Sequence, residues 1–165
     1  MNTQVKDKPF SKLGFNGEEA HEVVESLNAL LANYAVLYQK IRNFHWNVEG
    51  GEFFDIHEQL EEEYTAAAGF IDSIAERVRI LGFKPMSTLA EYLGKSEIEE
   101  STEDLTGSEM IRELIEDYEV ILSFVVEVAD VAIENGDIGT ETLIREILSA
   151  VEKRHWMFRT FIKKS

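Results

Sequence analysis

Five residues, His45, His57, Glu61, Asp72 and Glu76, are of the types that ligate divalent metal ions, and their spacing is regular. The steps from 57 to 61 and from 72 to 76 are four residues each, and the step from 61 to 72 is eleven, close to three helical turns. On a helix, the last four therefore share one stripe. Imidazole nitrogens mixed with carboxylate oxygens suit iron, and also zinc or manganese. Several carboxylates at one site can bridge two metal ions. Taken singly, each residue has an ordinary explanation: a histidine near a helix end is commonly a surface residue, and Asp72 and Glu76 would serve as solvated acids beside Arg79. The shared stripe makes them a candidate site.

The stripe is also symmetric. The pairs 57 with 76, 61 with 72, and 65 with 68 have one common midpoint, and small residues, Thr65, Ala68 and Gly69, lie at its centre. A second copy of the helix packed antiparallel on this stripe would set His57 against Glu76 and Glu61 against Asp72 of that copy. One chain alone cannot close the site, because His57 and Asp72 stand roughly 22 Å apart along a helix rising 1.5 Å per residue. A two-fold dimer supplies two equivalent sites. His45 precedes the Gly50-Gly51 break as His57 follows it, so an antiparallel helix pair brings them to similar height. The expected cluster is His45, His57 and Glu61 from one chain with Asp72 and Glu76 from another.

Positioning these residues requires long helices, and the apolar pattern supplies four. The first runs over about 17–47, with Asn16 and Glu19 as a capping box, and the second over about 52–81. The third begins near Gly107, capped by Thr106 with Glu109, and ends at Asn135-Gly136. The fourth starts between Asp137 and Thr140 and carries a basic tail. Residues 82–106 are too many for a tight turn, and Thr88 to Glu91 reads as the capped start of a short helix within them. The expected fold is therefore all-α, a ferritin-like four-helix bundle with one long crossover carrying a short extra helix. Residues 1–15 read as a flexible N-terminal arm and 16–165 as one domain.

Composition narrows the function classes. The chain has 165 residues, is 44% hydrophobic, and contains no cysteine, which excludes disulfides, thiolate metal sites and cysteine nucleophiles. No run of eighteen apolar residues and no hydrophobic leader are visible, so a cytoplasmic protein is expected. The net charge of −16 repels nucleic acid and attracts cations. Lys6, Lys8 and Lys12 could touch DNA, but Asp7 interrupts them, and DNA binding is expected to be weak or absent.

The run His45-Trp46-Asn47-Val48, then Phe53-Phe54, His57, Glu61 and Ile71-Asp72 through Glu76-Arg77, resembles the Dps family of mini-ferritins. The resemblance spans most of the chain. It implies a hollow dodecamer built from two-fold dimers. It also implies a ferroxidase centre at these positions that oxidises Fe(II), two irons per site, preferably with hydrogen peroxide, and stores ferric mineral. The family usually has Asp where this chain has Glu61. By the same resemblance Trp46 would donate an electron to residual oxidant, although aromatic packing at a helix end explains it equally. Asp130, Glu134, Asp137 and Glu141 would line acidic three-fold pores, or simply cover a solvated helix end.

Three rivals remain. A conventional di-iron site inside the bundle would use Glu18-x-x-His21 and Glu152-x-x-His155, but with a long crossover these lie at opposite ends. A DNA-compacting protein would rely on the N-terminal lysines. A purely structural helical oligomer would show no metal dependence.

Overall fold

Each long apolar stripe buries itself by becoming one helix of a bundle. The computed structural model describes residues 14, 17–102 and 104–164, without the side chains of residues 18, 19 and 164. Helix α1 covers Gly17–Asn47, α2 Phe53–Ile80, α3 Leu89–Lys95, α4 Gly107–Glu134 and α5 Ile138–Phe161, with a final 3-10 turn at Ile162–Lys164. The described residues contain no strand. Leu27, Leu30, Leu37 and Ile41 of α1 meet Leu60 and Ile74 of α2, Ile111 and Leu114 of α4, and Ile144 and Ile147 of α5 in one core. Burying each such side chain contributes about 1.5–3 kcal/mol, most of it offset by lost chain entropy.

The helix ends follow local chemistry. Thr106 and Glu109 form a reciprocal capping box at the start of α4, and Thr88 and Glu91 form another at α3. Gly136, at φ +68°, makes the left-handed turn that ends α4. The expected box at Asn16 and Glu19, like the N-terminal arm with its lysines, falls outside the described residues.

Three asparagines on α1 fix the path of the crossover. Asn28 Oδ1 accepts from Met86 N (3.0 Å), Asn33 Oδ1 accepts from Glu97 N (2.9 Å) and Ile98 N (3.2 Å), and Asn43 Nδ2 donates to the Ser101 carbonyl (2.8 Å). Successive tethers climb α1, so the crossover runs the length of the bundle. Helix α4 consequently starts beside the α1–α2 turn, parallel to α2. At the far end Asn135 Nδ2 donates to Glu22 Oε2 (3.2 Å), which ties the end of α4 to the start of α1. Helix α5 then returns parallel to α1. This is the ferritin-like connectivity read from the sequence. No helix among the described residues is long and apolar enough to cross a membrane.

Candidate metal centre

The last turn of α1 and the first turns of α2 lie side by side because the Gly50-Gly51 turn is short. Across this junction His45 and His57 hold each other through backbone. His45 Nδ1 lies 2.9 Å from the His57 carbonyl oxygen, and His57 Nδ1 lies 2.8 Å from the His45 carbonyl oxygen. A carbonyl only accepts, so each ring carries its proton on Nδ1 and leaves the Nε2 lone pair for a ligand. That tautomer is the one a metal-binding histidine needs, oriented by a backbone acceptor. The rings stack with centroids 3.8 Å apart, Phe53 stacks on His57 at 4.9 Å, and Tyr64 meets His45 edge-on at 5.2 Å. His45 is buried and His57 half-buried. The residues present therefore fit an imidazole-ligated ion.

The carboxylates of the stripe are arranged differently. Glu61, Asp72 and Glu76 are all exposed, and none forms a side-chain hydrogen bond or ion pair with another described residue. The described residues of one chain contain no group of three or more histidines and acids close enough to hold a metal ion. The structure thus brings His45 and His57 together and leaves Glu61, Asp72 and Glu76 outside any ligand group within the chain. Beside Asp72, a groove of about 710 Å³ runs between α1, α2 and α3, lined by Tyr38, Arg42, Ile71 and the outward-facing Leu89 and Leu93. Leu89 is 78% exposed, an uncovered apolar side chain on a short helix.

Trp46 is mostly exposed, and the Arg42 guanidinium lies 4.7 Å from its ring centre and 5.2 Å from that of Tyr38. This packing beside the histidine pair is the ordinary role open to it. The bundle-centred alternative has no support in the geometry. His21 packs against Phe83 at the start of α1, whereas His155 donates from Nε2 to Glu119 (3.0 Å) near the end of α5. Asp130 and Glu134 are exposed, and Glu141 pairs with Arg145. Asp137 departs from the expectation of a pore-lining acid. It is 1% exposed, accepts from Thr140 N (2.9 Å) as the cap of α5, and binds the Arg77 guanidinium at 2.5 Å. A Cβ on Gly139 would come within 2.7 Å of that guanidinium, so the glycine makes room for it.

Sequence reasoning missed the buried charges. Glu63 sits in the core, accepts from the Tyr118 hydroxyl (2.5 Å) and pairs with Arg154. Burial raises its pKa above the usual glutamate value, against the lowering effects of the Tyr118 hydrogen bond and the Arg154 charge. Asp117, raised likewise by burial, pairs with buried Lys40 at 2.8 Å. The signal was present: 56, 60, 63 and 67 on α2, and 110, 114, 117 and 121 on α4, are unbroken core-facing series.

Comparison with known proteins adds an independent line. Residues 24–165 match the Ferritin family model, described as a ferritin-like domain. A DNA protection during starvation protein of Bacillus anthracis is 39% identical over 143 residues, covering 87% of this chain and 98% of that protein. A Dps crystal structure from Bacillus brevis superposes with a TM-score of 0.86 at 38% identity, over 89% of this chain and 99% of that one. A Dps structure from Vibrio cholerae O1, described as a member of a broad superfamily of ferritin-like diiron-carboxylate proteins, gives 0.90 at 31% identity, over 98% and 99%.

Proposed function

Because the chain belongs to the ferritin-like family and, within it, to the Dps proteins, we propose that it oxidises Fe(II) at sites shared between two copies and stores the ferric product. The observation that carries this reading is the pairing of two half-sites on one chain. Near the α1–α2 turn, His45 and His57 are locked with both Nε2 atoms available. Roughly 22 Å along α2, Asp72 and Glu76 stand exposed with no partner among the described residues. An antiparallel second copy supplies to each half what it lacks: His45, His57 and Glu61 from one chain, Asp72 and Glu76 from the other. The groove beside Asp72, with Leu89 and Leu93 on its rim, gives that copy an apolar seat.

Fe(II) is the substrate, two ions per site, with hydrogen peroxide as oxidant. Each ion loses one electron, the peroxide O–O bond breaks, and with two protons the products are two Fe(III) ions and two waters, without a hydroxyl radical. The carboxylates neutralise charge and hold the ions close, and the imidazoles fix the geometry. Zinc and manganese suit the same ligands and compete; a Listeria innocua Dps structure 28% identical to this chain was soaked with zinc. Trp46 takes the lesser role of electron donor to leftover oxidant. The assembly is a hollow dodecamer in the cytoplasm, protecting against oxidative stress. The net charge of −16 on each chain draws cations and disfavours DNA.

Mixing half-dead chains tests the shared site directly. His57→Ala and Asp72→Ala should each abolish the fast phase of Fe(II) oxidation, followed by ferric absorbance after peroxide is added under nitrogen. Co-assembled in equal amounts, the two variants should recover about a quarter of the parental sites, because half of the dimers carry one intact site. A site contained in one chain predicts no recovery, and that outcome rejects the proposal.

A further inference from the structure

The bundle core contains a small cavity, walled largely by apolar groups, that the metal centre does not use. Each long helix gives it one polar side chain: Tyr34 from α1, Glu63 from α2, Tyr118 from α4 and Arg154 from α5. Its volume is about 50 Å³, and exposed Ala66 and Ala150 form a rim between α2 and α5 through which a small molecule can pass.

Three of the four groups satisfy one another. Tyr118 donates to Glu63 Oε2, and the Arg154 guanidinium pairs with Glu63 Oε1. The Tyr34 hydroxyl does not join them. Tyr34 is 1% exposed, and its oxygen has no hydrogen-bond partner among the described residues. A buried hydroxyl left this way costs about 1–3 kcal/mol, and phenylalanine would fill the same space without that cost. The hydroxyl makes sense beside a partner that is not protein.

The walls select that partner. An anion would meet the Glu63 carboxylate, and a cation would meet the Arg154 guanidinium; either would compete with a pair already formed. A neutral molecule can accept from Tyr34 and donate toward Glu63 at once. Water needs roughly 10–15 Å³ of such space, so about 50 Å³ admits a very small molecule and excludes any larger ligand. We infer that the cavity is a binding site for a small neutral hydroxylic molecule, held between the Tyr34 hydroxyl and the Glu63–Arg154 pair: water, or hydrogen peroxide in its place. The site does not depend on the shared metal centre; only the choice of peroxide as second occupant rests on the proposed oxidant.

Oxygen-17 magnetic relaxation dispersion tests it on the full-length, metal-stripped oligomer, where peroxide is not consumed at the metal site. The parent should show at least about one more long-lived water per chain than Tyr34→Phe. Adding peroxide should then remove that difference saturably if peroxide binds; a difference that peroxide leaves unchanged supports water as the occupant. Equal amplitudes in parent and variant overturn the proposal. Should Tyr34→Phe fail to fold, a high-resolution crystal structure of the parent decides. Density within about 3 Å of the Tyr34 hydroxyl oxygen supports the site, and none there overturns it.

Discussion

Helix α2 carries acids on two faces, and the two faces are built on opposite principles. Toward the core, Glu63 is nearly inaccessible and surrounded by its own chain: Tyr118, Arg154 and, at 3.4 Å, Gln59. Toward the outside, Glu61, Asp72 and Glu76 receive no hydrogen bond or ion pair from the described residues. An acid that the fold supplies with a cation and donors belongs to the structure. Acids lined up at helical intervals along an exposed stripe, and given no partner by the described residues, are what the proposed shared site requires. The inner face is closed, and the outer face is open to solvent.

The largest effect expected from this contrast is on stability. Removing the guanidinium with Arg154→Ala leaves Glu63 buried without its cation and should cost about 3 kcal/mol or more in chemical denaturation. Asp72→Ala, on the outer face, should change the stability of the isolated chain by no more than about 0.5 kcal/mol. Comparable losses at both positions would erase the distinction.

A smaller effect concerns pH. The folded pKa values of Glu63 and Asp117 are both raised, mainly by burial. A raised carboxyl binds its proton more tightly in the folded than in the unfolded chain. Its contribution is complete below the ordinary values of 4.5 and 3.8 and fades as pH climbs through the raised values. Stability measured upward from that range should therefore fall with pH, and less so in Glu63→Gln.

The smallest effect sharpens the outer face alone. Glu61→Asp shortens the side chain to the length its family usually has at that place. It should leave the unfolding midpoint unchanged and shift the initial rate of Fe(II) oxidation by less than about tenfold, the lower end of what a displaced metal-site contact costs. A shift in stability instead would mean that Glu61 is part of the fold.

The sequence made the outer face legible because its spacing is a geometric statement. Four turns of helix cannot bend Asp72 back to His57, so the expectation of a second chain rests on spacing alone. Helix limits were legible for a similar reason, since Thr88 and Thr106 cap with side chains three residues from their glutamates. The inner face escaped because Glu63 follows Glu61 and Glu62, and a run of acids reads as solvated surface. Its partners Tyr118 and Arg154 lie 55 and 91 positions away in the chain, a distance that local periodicity does not bridge. Asp137 was misjudged likewise, as a surface acid at a helix start, because Arg77 reaches it from 60 residues away.

The asparagine tethers along α1 bear on the order in which the molecule assembles. Helices α1 with α2, and α4 with α5, meet across short turns and can pair from local encounters. The bonds from Asn28, Asn33 and Asn43 close loops of 58 to 65 residues and have nothing to grip until α1 exists. The crossover is therefore expected to dock late, and pulse-labelled hydrogen exchange should find the amides of Met86, Glu97 and Ile98 protected after those of the α1 and α2 cores. Since α3 lies on that crossover and lines the groove beside Asp72, the groove should take shape only after the crossover has docked.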